Sequence, residues 1–325
     1  MVMVSINCIT YNHEKYIAQA IEGFLSQRTN FEVEILIHDD ASTDRTADII
    51  REYVQKYPET FNVIYQTENQ YSKGVFIGRL NEERARGKYI ATCDGDDYWT
   101  DPYKLQKQVD YMEAHPDCTL CFHDAYVETG GKLHTNWHVI PWMPENRKLA
   151  SSVPRTYDAG ELQLLGFVPT MSMLYVNDIH DAPRWLEETP ARDASIRLYI
   201  TSRGYAYYMP EVMSVYRYEV EGSATTIWNE GNVERDVKRH EEFIRFINLF
   251  DAYTDGKYHQ ELELSRISFE VGLHRLKGEY DALRSTRYDA YLNRFVGIDR
   301  IRPYLMIKQP HLTEWLMRIR NRAFA

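Results

Sequence analysis

Residues 88–101 read K-Y-I-A-T-C-D-G-D-D-Y-W-T-D. The first half of this stretch alternates side chains between two faces, which predicts a short buried strand. The strand stops at Asp94, Asp96 and Asp97, and Gly95 allows a tight turn between them. Carboxylates this close repel one another unless a cation or solvent screens them. Mg²⁺ and Mn²⁺ prefer oxygen ligands and usually share such sites with substrate phosphates. The stretch therefore predicts either a divalent-cation site or a solvated acidic turn.

Strands alternate with helices over the residues that precede this stretch. The pattern favours a parallel α/β sheet, in which ligands bind beyond the carboxyl ends of the strands. The predicted strands are 2–9, 33–37 and 62–66, and the predicted helices are 14–27, 45–57 and 74–87.

Polar residues follow three of these strands, so they are expected to meet at one edge of the sheet. They are Thr10-Tyr11, Asp39-Asp40 and the acidic residues 94–97. No G-x-G-x-x-G follows the first strand and no G-x-x-x-x-G-K-[ST] occurs in the chain. These absences disfavour an ordinary dinucleotide fold and a P-loop. We therefore expect a site that holds a diphosphate through a metal ion.

Composition narrows the class of protein. The 325 residues carry a formal charge of −10, which argues against a general nucleic-acid binder. The chain has no run of about 18 apolar residues, so we predict no transmembrane helix. The N-terminus lacks the basic region of a signal peptide. Cys118 and Cys121 form a C-x-x-C without a second ligand pair, so we expect core thiols and a reducing, cytoplasmic compartment.

Three segments carry a resemblance to a known family. V-S-I-N-C-I-T-Y-N, I-L-I-H-D-D-A-S-T-D and G-K-Y-I-A-T-C-D-G-D-D-Y-W resemble the family 2 glycosyltransferases of the GT-A fold, closely over residues 2–125 and loosely to about 225. The resemblance implies an α/β, Rossmann-like fold with a mostly parallel central sheet flanked by helices. It also implies an inverting enzyme that moves a sugar from a nucleotide-sugar, expected to be a UDP-sugar. The alternatives are a nucleotidyltransferase of similar fold and a non-catalytic sugar-nucleotide binding protein.

The resemblance assigns roles around the donor. Thr10 and Tyr11 stand where the first loop of the family borders the nucleoside. Asp39 and Asp40 match the acidic pair that hydrogen-bonds the base.

Asp94, Asp96 and Asp97 match the D-x-D element, which touches the ribose and ligates Mn²⁺ or Mg²⁺ on the diphosphate. The sequence leaves open whether Asp96 or Asp97 is the metal ligand. The family often has an Arg-Asn pair before the fourth strand, where this chain has Gly78-Arg79. Arg79 and Lys73 are either phosphate contacts or ordinary surface cations.

Further along the chain, the resemblance implies that Asp193 is the catalytic base, at the start of a helix. The alternative is a helix-capping aspartate, because a helix N-terminus lowers the pKa of a carboxylate. Glu187 and Glu188 are the other candidates for the base. Arg217 and Ser223 could close over the diphosphate.

Strands are predicted at 119–127, 168–176 and 205–218, with a long loop at 129–160. Trp137 and Trp142 in that loop are candidates for the acceptor site, since aromatic rings stack on sugar faces. Packing within the loop is the alternative.

Domain boundaries follow from the change from alternating strands and helices to helical spacing alone. We predict a GT-A domain over 1–228, with a nucleotide-sugar half at about 1–127 and an acceptor half at about 128–228, and a helical C-terminal extension over 229–325. Residues 300–325 carry six basic residues against one acidic residue, interleaved with apolar ones. This segment is either a peripheral membrane contact or an ordinary terminal helix. The expected partners are a glycan or lipid-linked acceptor and, through the helices, a further copy of the chain, at the cytoplasmic face of the membrane.

Overall fold

A ten-stranded sheet organises the first part of the chain. The computed structural model describes residues 1–134, 153–179, 182–187, 189, 191–218, 220–229, 231–293, 301–309 and 311–313. The chain divides into two compact units, one of Met1–Glu187 with Ala191–Ile227 and one of Glu188–Pro190 with Trp228–Ala325. The sheet belongs to the first unit.

The first half of the sheet is the parallel α/β pattern that the sequence predicts. Its strands are β1 (Val2–Thr10), β2 (Glu32–Asp39), β3 (Phe61–Tyr65) and β4 (Tyr89–Thr92). Helices α1 (Ile17–Leu25), α2 (Thr46–Lys56) and α3 (Ile77–Glu82) lie between them in the chain. Strand β1 pairs in parallel with both β2 and β4, and β2 pairs in parallel with β3. The loops that follow β1, β2 and β4 therefore lie at one edge of the sheet.

The apolar spacing of α1 explains how it packs on this half of the sheet. Ile17, Ala20, Ile21 and Phe24 recur at helical spacing and are all buried. Helix α3 is shorter than the predicted helix over 74–87. Gly74 has φ of +81° and caps a short 3₁₀ turn over Tyr71–Lys73, so regular helix begins only at Ile77.

The second half of the sheet is mixed. It contains β5 (Tyr98–Trp99), β6 (Cys118–Thr129), β7 (Lys132–His134), β8 (Arg155–Tyr157), β9 (Leu174–Val176) and β10 (Tyr205–Arg217). The helices here are α4 (Lys104–Ala114), α5 (Ala159–Leu165), α6 (Arg192–Ser202) and α7 (Ala224–Asn229). Strand β10 runs parallel to β6 and antiparallel to β5, and β9 is antiparallel to β4 and β6. Eight strands of the sheet run in the order β3-β2-β1-β4-β9-β6-β10-β5, while β7 pairs with β6 and β8 pairs with β10. Cys118 and Cys121 on β6 are buried free thiols, as predicted.

The predicted strand over 168–176 is correct only at its end. Residues Thr170–Ser172 form a 3₁₀ turn, and only Leu174–Val176 pair in the sheet. The carbonyl groups of the turn accept side-chain hydrogen bonds from distant residues. Trp99 Nε1 donates to Met171 O at 2.8 Å, and Gln108 Nε2 donates to Ser172 O at 2.9 Å. These tertiary bonds satisfy backbone groups that a strand would have paired in the ladder.

The second unit is helical. Its helices are α8 (Val233–Tyr253), α9 (His259–Lys277), α10 (Asp289–Leu292) and α11 (Ile301–Lys308). An apolar cluster of Ile267, Val271, Leu283, Tyr288, Tyr291, Leu292 and Ile307 lies within it. No helix in the described part of the chain is long and apolar enough to cross a membrane.

Candidate functional site

The loops after β1 and β2 are joined by reciprocal hydrogen bonds. Asn12 has φ of +56°, a conformation that asparagine tolerates better than most residues. Its backbone N–H donates to Ser42 Oγ at 2.9 Å, and its side-chain oxygen accepts from Thr43 N at 2.8 Å. A further hydrogen bond joins the same loops, from Glu14 N to Asp44 Oδ2 at 3.0 Å. The two loops therefore form one continuous wall at the edge of the sheet.

Thr10 and Tyr11 occupy the end of β1 beside the acidic loop, residues 94–97. Thr10 is buried, and its Oγ1 lies 3.1 Å from Nδ1 of His13, whereas Tyr11 is 41% exposed. Gly95 N donates to Ile9 O at 2.9 Å. A Cβ atom on Gly95 would lie 2.6 Å from Thr10 Oγ1, a separation that real Cβ atoms do not reach. Only glycine permits this approach of the two segments.

The adjacent carboxylates of Asp39 and Asp40 have different surroundings. Asp40 is fully buried, and its two oxygens accept backbone N–H groups from Gln70 at 2.8 Å and Tyr71 at 3.0 Å. Asp39 is 2% exposed, and its Oδ1 has no hydrogen-bond partner among the described residues. Burial raises the pKa of Asp39, although hydrogen bonds from Ser42 oppose this. Asp40 thus holds the loop that follows β3, whereas Oδ1 of Asp39 is a buried acceptor that no described group donates to.

The carboxylates of Asp96 and Asp97 in the acidic loop differ in exposure. Asp97 is 2% exposed, and its Oδ1 accepts the backbone N–H of Arg217 at 2.7 Å. The side chain of Asp96 is 14% exposed, and its Oδ2 lies 3.9 Å from Nε2 of His13. Burial raises the pKa of both Asp94 and Asp97, and the neighbouring carboxylate of Asp96 raises both further. The loop therefore brings three carboxyl groups together, and Asp96, which lies beside His13, is more accessible than Asp97.

Asp193 lies in the first turn of α6, as predicted. Its charge is close enough to Asp94 to raise the pKa of that carboxyl, after burial and Asp96. The preceding residue, Arg192, pairs with buried Glu82 at 2.5 Å, and the hydroxyl of Tyr175 donates to Glu82 at 3.1 Å. This buried ion pair joins the end of α3 to the start of α6, so it fixes the helix that carries Asp193.

The donor set fits a divalent ion that shares its coordination with phosphate. Among the described residues, no group of three or more His, Cys, Asp or Glu side chains is arranged to hold a metal by itself. Mg²⁺ and similar ions commonly bind through one or two carboxylates plus substrate phosphates rather than in an all-protein cage. One or two of the carboxylates of Asp94, Asp96 and Asp97 meet that number, and which of them is the ligand stays a prediction.

Several predicted contacts have partners on the protein itself. Lys73 pairs with Glu68, and Arg79 pairs with Glu83 at 2.7 Å on an exposed face. The guanidinium of Arg217 is engaged with the acidic loop and its neighbours. Ser223 Oγ donates to Thr226 Oγ1 at 3.1 Å. Trp137, Trp142 and Glu188 lie outside the described residues, as does the side chain of Glu187.

Sequence reasoning missed His13, Glu82 and Asn81. Asn81 is fully buried, and its amide donates to Asn7 Oδ1 at 2.9 Å and to Cys8 O at 3.1 Å. It fastens α3 to β1. The polar run after β1 was a signal for His13, whereas nothing local distinguishes Glu82 from the adjacent, exposed Glu83.

Comparison with known proteins decides the family. A family model described as glycosyl transferase family 2 matches residues 5–179, which is more than half of the chain. The chain belongs to glycosyl transferase family 2. Uncharacterized protein Rv1520 of Mycobacterium tuberculosis is 38% identical to this family 2 glycosyltransferase over 238 residues, which are 71% of this chain and 62% of that protein. This chain therefore spans less than two thirds of the length of that relative.

Two further comparisons bear on the family and the fold. The Escherichia coli protein WfaP, named a UDP-Glc:alpha-D-GlcNAc-diphosphoundecaprenol beta-1,3-glucosyltransferase, is 39% identical over 115 residues, or 35% of this chain and 43% of WfaP. The structure of Staphylococcus aureus TarS 1-349 in complex with UDP-GlcNAc aligns with a TM-score of 0.62 and 15% identity, covering 94% of this chain and 82% of that one. The second likeness confirms the predicted GT-A fold.

Proposed function

We propose that this family 2 glycosyltransferase moves a sugar from a UDP-sugar to an acceptor hydroxyl, with inversion at the anomeric carbon. The observation that carries the proposal is that the buried acceptor of Asp39 and the acidic loop, held against Thr10 at Gly95, lie at one edge of the sheet. Asp193 in the first turn of α6 supports it, since its charge raises the pKa of Asp94. A single displacement requires a base on one side of the anomeric carbon and a diphosphate site on the other.

Uridine recognition is assigned to the wall formed by the loops after β1 and β2. The imide N–H of uracil is a donor, and Oδ1 of Asp39 is a buried acceptor without a partner in the described structure. Burying an unpaired acceptor is costly, so a base that supplies the missing hydrogen bond gains binding free energy. Exposed Tyr11 supplies a ring beside Thr10 at the same edge. Asp40, whose oxygens are both bonded to backbone, orients the wall rather than the base.

Asp96, together with Asp94, would hold Mn²⁺ or Mg²⁺ on the diphosphate, and Asp97 would support the loop. When bound, the ion neutralises charge that develops on the leaving group. The protein binds the donor, orients the acceptor and excludes water.

Asp193 accepts the proton of the acceptor hydroxyl as its oxygen attacks the anomeric carbon. The new glycosidic bond forms while the bond to the diphosphate breaks, and UDP leaves with that electron pair. General-base catalysis is typically worth about 10²–10⁴ in rate. Asp193→Asn should therefore lose about that much turnover and bind UDP as the wild type does.

The acceptor is proposed to be a glycan, free or lipid-linked, at the cytoplasmic face of the membrane. The support is the name of WfaP, which acts on a diphosphoundecaprenol acceptor. Residues 128–228 remain the predicted acceptor half. Residues 300–325 remain either a membrane contact or an ordinary terminal helix, and most of that segment lies outside the described residues.

Calorimetric titration of UDP, GDP and dTDP, each with and without Mn²⁺, tests the donor assignment. Selective, metal-enhanced binding of UDP is expected. Product analysis with UDP-sugars then separates the alternatives. Release of UDP indicates glycosyl transfer, release of pyrophosphate indicates nucleotidyl transfer, and release of neither product indicates a binding protein.

The role of Asp193 is tested by comparing Asp193→Asn with Asp110→Asn, which replaces an exposed carboxylate on α4. If Asp193→Asn abolishes UDP binding, or if both variants retain full turnover, the assignment of Asp193 as the base is wrong.

A further inference from the structure

Arg217, the last residue of β10, makes two contacts with the acidic loop. Its backbone N–H donates to Asp97 Oδ1 at 2.7 Å. Its guanidinium Nη1 donates to the backbone carbonyl of Asp96. One contact orients a carboxylate and the other fixes the main chain of the neighbouring residue. The loop begins beside β1 and ends in β5, which pairs with β10, so Arg217 closes its second side.

The remaining guanidinium nitrogens are also held in place. Nε lies 3.2 Å from Oε2 of Glu128, and Nη2 donates to Oε1 of Gln19. The guanidinium carbon is 4.9 Å from the ring centre of Tyr16 and 4.4 Å from that of Tyr98. The residue is only 8% exposed. Each of the three nitrogens thus has its own partner in a different segment, and the aromatic rings accept the cation on their faces.

We infer that Arg217 is a positioning residue for the donor site, which fixes Asp97 and the Asp96 backbone so that the Asp96 carboxylate faces the metal and the diphosphate. The inference rests on the function proposed above. It differs from a direct phosphate contact, because the guanidinium binds protein groups. The burial of the Asp97 carboxylate and the greater accessibility of the Asp96 carboxylate are consistent with these two contacts. Residues that orient metal ligands typically change metal affinity about 10–100-fold when they are replaced.

Lysine cannot reproduce this arrangement. Its ammonium group is a compact point charge, whereas the planar guanidinium presents donors in a fixed fork to several partners at once. Arg217→Lys keeps the charge and the backbone N–H that bonds Asp97. It loses the simultaneous bonds to Asp96 O, Gln19 and Glu128. The variant therefore isolates the role of the fork from that of the positive charge.

The experiment measures the affinity of UDP for the full chain by calorimetry, with and without Mn²⁺. Arg217→Lys should lose about 10–100-fold of the affinity measured with Mn²⁺ and keep the metal-free affinity within about twofold. Arg203→Lys is the matched control, because Arg203 pairs with Asp178 on an exposed surface. It should behave as the wild type does. Thermal unfolding of each variant reports whether the fold is intact.

Gln19→Leu provides a second test if Arg217→Lys does not fold. Gln19 is exposed, so this substitution removes its bond to the guanidinium and its bond to Tyr98 without disturbing the core. A smaller loss in the same direction, confined to the measurement with Mn²⁺, is expected. Equal losses with and without Mn²⁺, or no loss in either variant, would overturn the inference. A wild-type protein that binds UDP equally with and without Mn²⁺ would also overturn it, whereas failure of the wild type to bind UDP at all counts against the proposed function.

Discussion

At the residue scale, the neighbouring carboxylates of Asp39 and Asp40 offer a matched pair of substitutions. In the wild type, both carboxylate oxygens of Asp40 accept a backbone N–H. Asp40→Asn replaces one of these oxygens by an amide N–H donor, which cannot accept the bond. Leaving such a buried group unsatisfied costs about 1–3 kcal/mol, and urea denaturation should show that loss in the free energy of unfolding.

Asp39→Asn should leave the free energy of unfolding unchanged or raise it, because burial disfavours the charge of Asp39. It should weaken UDP binding about tenfold, the equivalent of about 1.4 kcal/mol from one charged hydrogen bond. Unchanged UDP affinity in Asp39→Asn would remove this residue from base recognition.

Gly95 tests how closely the acidic loop must approach β1. Gly95→Ala brings a Cβ to 2.6 Å from Thr10 Oγ1, so the loop has to move. We expect a loss of about tenfold or more in Mn²⁺-dependent UDP affinity, with the fold retained. Gly78→Ala is the control, since its Cβ would lie 3.7 Å from Asn7 Nδ2 within helix α3, and alanine stabilises helices by up to about 1 kcal/mol. If Gly95→Ala binds UDP and Mn²⁺ normally, the close approach is not needed for the donor site.

The sequence could predict which residues end strands, but not how their side chains divide their roles. Asp39 and Asp40 form one acidic pair in the sequence. Their difference depends on backbone N–H groups about 30 residues further on, at Gln70 and Tyr71. Asp96 and Asp97 are separated in the same way by Arg217, 120 residues from Asp97. Local patterns contain no information about such partners.

At the element scale, strands with local apolar patterns were predicted correctly, whereas elements that depend on distant partners were not. Strands β1 to β4 have local apolar patterns, and their parallel direction follows from the α/β alternation. The turn at Thr170–Ser172 and the two-residue strand β5 depend on Trp99, Gln108 and β10, which sequence periodicity cannot identify as partners.

The buried pair of Glu82 and Arg192 makes the start of α6 depend on the end of α3. Glu82→Gln leaves the guanidinium of Arg192 without its counter-charge and should destabilise the protein by about 2–3 kcal/mol, less than the ~3–5 typical of losing one partner entirely. Because a displacement of 1 Å at a reacting group can cost about 10² in rate, turnover should fall about 10–100-fold.

The affinity of Glu82→Gln for UDP should stay that of the wild type, because the uridine wall is built from other loops. The control is Glu83→Gln, the next residue, which pairs with Arg79 on an exposed face. Steady-state kinetics and UDP titration together check this separation. A parallel loss of UDP affinity and turnover would mean that the ion pair supports the donor site as well.

At the scale of the whole molecule, the fully buried Lys104 should set a pH dependence of stability. Its Nζ donates to Gln108 Oε1 at 2.8 Å and lies 4.2 Å from the ring centre of Trp99, and burial lowers its pKa to about 7. In the unfolded chain the pKa of a lysine is about 10.4. The unfolded state therefore binds more protons than the folded state between these two values, so this residue makes stability rise with pH over that range.

Lys104→Met should remove this contribution. Relative to the variant, the wild type should gain about 1 kcal/mol in free energy of unfolding per pH unit between pH 8 and 10, and nothing below about pH 6. Urea denaturation of both proteins at pH 6, 8, 9 and 10 measures the difference, in which the other titrating groups cancel. Lys107→Met, on the same helix and paired with Asp101 near the surface, should show no such slope. Parallel stability curves for the wild type and Lys104→Met would show that Lys104 is as fully protonated in the folded protein as in the unfolded chain.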